Sequence, residues 1–216
     1  MNVLDRFFTR WWLANRASLA VLLKRNATAI ECYRQIVALD PRDENARAAL
    51  GNLLMEAGDV AGAIREFLHI VEMNPRNAEA WFNLGYIYEQ RDDLANAERC
   101  FREAIAIKPS IDRAWYGLGL VLIRAQRLTE AVEALKRNTE LQPFSPYGWY
   151  QLAMTHHHLG ESDKAARVYE ELKKFEPRYA ATLRRDMERT PPVAAPARNA
   201  ATTPSIDHKE AVPSTH

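Results

Sequence analysis

Five prolines stand 34 residues apart in this 216-residue chain, at Pro41, Pro75, Pro109, Pro143 and Pro177. A fixed period of this length marks an array of helix–turn–helix units. One such unit cannot bury its own apolar face, so it must stack on the next copy. The working part of such an array is a surface assembled from several repeats, rather than a pocket around a single nucleophile.

Residue types recur in register with the prolines. In 78–111, Trp81, Leu84 and Tyr88 form one apolar stripe at helical spacing, and Ala97, Phe101 and Ala104 form a second. The small Gly85 and Ala97 let paired helices approach closely, while the large residues fill the space around them. Short polar or glycine turns, Gly58-Asp59, Asp92-Asp93 and Gly160-Glu161, separate the two helices of a unit. Each ladder proline closes a second helix, because it lacks the N–H and its ring collides with the preceding turn. Asp43, Asn77 and Ser145 stand where the following helices need N-caps, and Pro146 takes a first helical position, where its missing N–H costs nothing. No stretch alternates with period two, so no sheet is expected.

These residues resemble the tetratricopeptide-repeat family. Segment 78–111 carries all eight signature positions, Trp81, Leu84, Gly85, Tyr88, Ala97, Phe101, Ala104 and Pro109. Segment 112–145 keeps Trp115, Leu118, Gly119, Ala131 and Pro143. Segment 44–77 keeps Leu50, Gly51, Ala63, Phe67 and Pro75 but has Arg47 in the tryptophan slot. Segment 146–179 keeps Trp149, Leu152, Ala165, Tyr169 and Pro177, and departs at Ala153 and His156. Segment 10–43 is degenerate, keeping Ala29, Tyr33 and Pro41 with Leu13 in the tryptophan slot. The resemblance implies an all-α fold, a right-handed α-solenoid of five stacked repeats over 10–179. A helical extension, 1–9, precedes it and a capping helix, 180–189, follows. The remaining stretch, 190–216, has five prolines and few large apolar residues, and is expected to be disordered.

Composition narrows the function classes. The net charge of +1 is uneven: residues 1–25 hold five basic residues against Asp5, residues 190–216 are neutral, and the body is mildly acidic. A solenoid without a lysine-rich face is a poor nucleic-acid binder. No apolar run approaches the ~18–20 residues of a transmembrane span, and no secretory leader is visible. Cys32 and Cys100 occupy the same slot two repeats apart. Stacked helices lie about 8–10 Å apart, which puts the two beyond disulfide reach and suits a reducing cytoplasm.

The family lines its concave groove with four slots of each first helix. Here the slots hold Asn45, Ala48, Asn52 and Met55, then Glu79, Phe82, Tyr86 and Glu89. Arg113, Tyr116, Leu120 and Ile123 follow, and then Tyr147, Tyr150, Met154 and His157. The rings of Phe82, Tyr86, Tyr116, Tyr147 and Tyr150 lie outside the signature. Aromatic anchors among a few polar groups have the composition of a recognition surface for a protein or peptide segment. The competing reading is that they pack between neighbouring first helices. The resemblance also excludes one role. Members that clamp a terminal carboxylate use lysine and asparagine at slots where this chain, Asn52 apart, has Ala48, Phe82, Tyr86, Tyr116 and Leu120. The expected occupant is an extended or helical segment held by apolar and aromatic contacts, flanked by Glu79, Glu89, Arg113 and Arg124.

The N-terminal 25 residues are a second candidate surface. Phe7, Phe8, Trp11 and Trp12 are interleaved with Arg6, Arg10 and Arg16 on one expected helix. The rings either bury against Ala29 and Tyr33 as part of the first repeat, lie in a membrane interface, or pack on a partner or a second copy. Chemistry is not expected. His156-His157-His158 are neighbours on one helix, about 100° apart, and cannot converge on one metal ion. No phosphate loop, nucleophile triad or carboxylate pair is present. The expectation is a non-catalytic interaction scaffold with no cofactor and no metal.

Overall fold

The structure, a computed structural model, describes residues 3–190. The stretch expected to be disordered lies outside them, except for Thr190. Among the described residues eleven helices follow one another: α1 (Val3–Leu22), α2 (Asn26–Leu39), α3 (Glu44–Glu56), α4 (Val60–Met73), α5 (Ala78–Gln90), α6 (Leu94–Ile107), α7 (Asp112–Arg124), α8 (Leu128–Leu141), α9 (Pro146–His158), α10 (Ser162–Phe175) and α11 (Pro177–Arg189). There is no strand among the described residues. Every helix packs on the next, which makes an α-solenoid. The odd-numbered helices α1 to α9 are the first helices of the five repeats. α11 stands where a sixth would begin, starting at Pro177 rather than at 180. Residues 3–9 of the expected extension and the leading helix of the first repeat form the single helix α1; residues 1–2 lie outside the described residues.

The 34-residue period recurs in the backbone and in side-chain bonds. The turns between paired helices carry a left-handed residue at Lys24, Gly58, Asp92, Gln126 and Gly160, with φ of 54, 83, 62, 59 and 72°. This conformation lets the turn's amide reach back to the end of the first helix, as in Asp93 N to Tyr88 O at 2.9 Å. Asp59 and Asp93 then cap the second helices, accepting from Gly62 N and Asn96 N. Asp43 and Asn77 cap first helices as expected. Ser145 occupies the cap position but its side chain makes no cap bond, and Pro146 follows at the first helical position.

The ladder prolines have a partner that their spacing alone does not reveal. The indole N–H groups of Trp81, Trp115 and Trp149 each donate to the carbonyl six residues back, Pro75, Pro109 and Pro143, at 2.9 Å. In the repeat that lacks the tryptophan, Arg47 Nε donates to Pro41 O at 2.8 Å, and its Nη1 reaches Glu66 at 2.6 Å in a largely buried ion pair. Leu13 takes the slot in the first repeat, but in the other four a long side chain with an N–H at its tip fills it. It fastens the turn between repeats to the following first helix.

The cores close by close approach. The Phe101 ring, 1% exposed, is wedged between two glycines on neighbouring first helices. A Cβ on Gly85 would stand 2.7 Å from it and one on Gly117 2.5 Å from it. Cys32 and Cys100 are free and buried, and burial pushes the Cys100 thiol up to about 11, which disfavours the thiolate.

Candidate functional site

First helices meet one another unequally. α5 contacts α7, α7 contacts α9 and α9 contacts α11, whereas no comparable contact joins α1 to α3 or α3 to α5. The cause is legible at the inward slots. α3 presents the small or flexible Asn45, Ala48, Asn52 and Met55, while the later repeats present rings. The concave face keeps hollows in both halves, between α3 and α5 and beside Tyr116 and Tyr147.

The rings of the C-terminal half differ in burial: Tyr150 is half-buried, while Tyr147 stays 58% exposed. Tyr147 and Tyr150 pack edge-on against Tyr179 of α11, with centroids 5.7 and 5.8 Å away. The Tyr150 hydroxyl donates to Asp186 at 2.6 Å, and burial together with that bond pushes it up to about 12. Tyr116 and Leu120 are half-buried, and burial raises the Tyr116 hydroxyl. Met154 packs into the cluster with Leu172, Ala180 and Leu183. His157 Nε2 lies 2.6 Å from Thr190 O, and His156 is buried against Glu161 at 2.6 Å. Among the described residues there is no group of three or more His, Cys, Asp or Glu that could hold a metal ion. A hollow of about 510 Å³ remains at this end, lined by Asp112, Arg113, Tyr116, Asn138, Gln142, Ser145 and Tyr147.

The flanking charges also link neighbouring first helices one repeat apart. Glu79 bonds Arg113 at 3.1 Å and Lys108 at 3.3 Å. Arg124 bonds Glu89 at 2.6 Å and also pairs with Asp92. The Arg113 guanidinium lies 4.6 Å above the Phe82 ring, which itself leans on Phe101. Apart from the Glu89 carboxylate, at 15% side-chain exposure, these groups are well solvated, and each solvated pair contributes only about 0–1 kcal/mol. Of them, the Arg113–Glu79 pair keeps the guanidinium over the Phe82 ring.

The N-terminal half keeps open space. A hollow of about 290 Å³ lies between α3 and α5, lined by Asn52, Met55, Phe67, Phe82, Asn83, Tyr86, Ile87 and Arg113. A second of about 180 Å³ shares Phe67 and Asn83 with it and adds Asn45, Ala48 and Glu79. Tyr86 is 50% exposed at the rim. The floor is apolar, and the amides of Asn52 and Asn83 have no partner among the described residues. Asn83 was not among the residues expected from the slots; it lies one position past Phe82 and turns into the groove because α3 leaves room there.

The rings of α1 depart from the first of the three expectations. Leu13, Ala17 and Ala20 make its buried face. Phe7, Phe8, Trp11 and Trp12 remain between 52% and 63% exposed, with Phe7 and Trp11 lining a hollow of about 320 Å³ beside Tyr33. A helix has one face to give to one neighbour, and small residues fill that face. Arg6 and Arg10 turn back on the first repeat, donating to Leu39 O and Asp43, and Arg16 lies 5.1 Å over Trp12. No helix among the described residues is long and apolar enough to cross a membrane.

The Asp43 tie is pH-sensitive. Burial works to raise the Asp43 carboxyl, but the Ala46 amide and the Arg10 guanidinium outweigh it and hold it below its ordinary value. A depressed carboxylate adds stability above its unfolded pKa and loses it as pH falls through the folded one. The thermal midpoint of the wild type should therefore exceed that of Asp43→Asn at about pH 6, and the gap should close as pH falls below ~3.9.

Residues 9–142 match the tetratricopeptide-repeat profile described as the cilia and flagella-associated protein 70 C-terminal domain, and residues 146–171 match a tetratricopeptide-repeat profile. The chain belongs to the tetratricopeptide-repeat family. No curated protein matches it significantly. Among solved tetratricopeptide-repeat (TPR) structures, a crystal structure of MamA is similar at 22% identity, covering 80% of this chain and 94% of that one with a TM-score of 0.72. MamA from Desulfovibrio magneticus RS-1 is similar at 18% identity, covering 78% and 96%, with a TM-score of 0.72. YrrB, a TPR protein with an unusual peptide-binding site, is similar at 18% identity, covering 80% and 90%, with a TM-score of 0.67. At these identities the likeness is one of fold.

Proposed function

We propose that this TPR protein is a non-catalytic interaction scaffold that holds an extended protein segment in the N-terminal half of its groove, between α3 and α5. The observation that carries this reading is the open apolar hollow under Tyr86, beside two amide side chains without partners. An apolar or aromatic side chain of the segment sits on Met55, Phe67 and Phe82. Asn52 and Asn83 each offer a donor and an acceptor to the segment's backbone. Arg113, held over Phe82, closes the C-terminal side. Concave, mostly apolar sites with a few polar groups are where ligands bind, and the fold-level likeness to a peptide-binding TPR protein supports the same reading.

A displayed library of random peptides tests it. Peptides selected on the wild type should lose at least tenfold in affinity on Tyr86→Ala, and a similar amount on Asn83→Ala, since buried hydrogen-bonding anchors and central rings dominate such interfaces. Both positions are rim or groove residues, so helicity should not change. Selected peptides that bind both variants as tightly as the wild type would refute the site.

A further inference from the structure

We propose that the exposed face of α1 is a self-association surface, on which two copies of the chain pair antiparallel through their α1 helices about a two-fold axis. Opposite the buried Leu13, Ala17 and Ala20, the residues Leu4, Phe8, Trp11, Asn15, Leu19 and Leu22 follow one another at three- and four-residue spacing. Phe7, Trp12 and Leu23 widen the stripe. Asp5 and Arg16 border it beside Trp12, and no charged residue stands in its central row. A terminal repeat of a solenoid normally turns a polar face outward, and this one turns out an apolar one.

The area fits a second copy. With ~150–250 Å² per aromatic side chain, the four rings leave on the order of 400–500 Å² uncovered. Leu4, Leu19, Leu22 and Leu23, all more than half exposed, extend this toward the ~800 Å² that each partner gives to a standard interface. That exceeds what monomers usually leave bare. The cations that would serve a membrane-bound helix are engaged elsewhere. Arg6 and Arg10 are bonded to the first repeat and Arg16 to the Trp12 face, whereas an interfacial helix presents a basic polar face to the lipid.

Residue sizes set the direction. An antiparallel pairing places the ring-rich N-terminal half against the leaner C-terminal half. Leu4 then lies opposite Leu22 of the second copy, and Phe7 and Phe8 lie opposite Leu19 and Ser18. Large residues fill the space beside small ones, and the helix dipoles oppose one another. Trp11 falls opposite Asn15. The Asn15 amide already donates to Trp11 O of its own helix at 2.8 Å, which leaves its Oδ1 to accept the indole N–H of Trp11 from the other copy. A single Asn within an apolar seam fixes register in this way, and the two-fold axis makes the bond twice.

Light scattering of the full chain at tens of micromolar should give twice the 24.7 kDa chain mass. Trp11→Asp and, separately, Leu22→Asp should each return the monomer with unchanged helicity, because both side chains are exposed. Mixed under mild oxidation, Leu4→Cys and Leu22→Cys chains should cross-link to each other, and Leu4→Cys alone should not. The buried native thiols do not interfere. A monomeric mass for the wild type, a Trp11→Asp variant that stays dimeric, or a Leu4→Cys self-cross-link each overturns the proposal. So does flotation of a monomeric chain with phosphatidylserine/phosphatidylcholine vesicles, which would assign the face to a lipid surface.

Discussion

Replacing Phe101 with alanine is expected to lower stability by about 3–5 kcal/mol, the range for a fully buried ring. The reason lies in where the ring sits. It fills the space that Gly85 on α5 and Gly117 on α7 leave open, and it touches the Phe82 ring that forms part of the groove wall. Because both first helices close on it from either side, the cavity cannot collapse without shifting one repeat against the next. The complementary change, Gly117→Ala, overfills the same space. Its Cβ would meet the ring at 2.5 Å, and about 1–3 kcal/mol is expected, the usual cost of overpacking. Calorimetric or denaturant unfolding of both variants checks the pair. If Gly117→Ala were neutral, the ring would have room to move and the wedge would not define the repeat interface. Since repeats contact only their neighbours, the loss should appear first as fraying at the α5–α7 junction in hydrogen exchange.

The tryptophan slot carries the second large effect. Trp115→Ala should cost about 2–4 kcal/mol, below the full range for a buried ring because Trp115 is half-buried. Trp115→Phe separates the two contributions. It keeps most of the packing but leaves Pro109 O without its donor, and should cost about 1 kcal/mol, the net worth of a hydrogen bond. Arg47 is the natural control. It makes the same bond to Pro41 O without an aromatic ring and adds a shielded ion pair with Glu66. Arg47→Met should therefore destabilise by more than Trp115→Phe does, because it strands the Glu66 carboxylate at 18% side-chain exposure. Equal losses at the two positions would mean that the ion pair contributes nothing.

The fold was legible because the repeat writes the same physics five times. Proline spacing located the ends of second helices, and the Asp and Asn residues just ahead of helices located their starts. Gly85 and Ala97 signalled close approach in the sequence and are found at it. What the sequence concealed depends on pairs of residues rather than single ones. Arg47 reads as a departure from the pattern until its Nε is seen on the carbonyl that tryptophan uses elsewhere. Lys24 and Gln126 share the left-handed turn conformation with Gly58 and Gly160, although neither is a residue that prefers it.

The groove was legible as a list of slots but not as a shape. Tyr147 and Tyr150 occupy the same kind of slot as Tyr86. Tyr86 and Tyr147 both stay exposed, at 50% and 58%, whereas Tyr150 is half-buried because α11 comes up against it and Asp186 takes its hydroxyl. In the same way, the rings of α1 were visible in the sequence. Their exposure follows from Leu13, Ala17 and Ala20, which fill the face that α1 turns to the first repeat's core.

The most direct measurement of the central claim is the affinity of a library-selected peptide for three forms of the protein: wild type, Tyr86→Ala and Tyr150→Phe. Tyr86 rims the open hollow, and Tyr150 ties α9 to α11 through Asp186. Binding confined to the N-terminal half of the groove requires at least a tenfold loss on Tyr86→Ala and an unchanged Kd on Tyr150→Phe. The reverse pattern, with Tyr86→Ala neutral and Tyr150→Phe impaired, would place recognition at the C-terminal end and contradict the account.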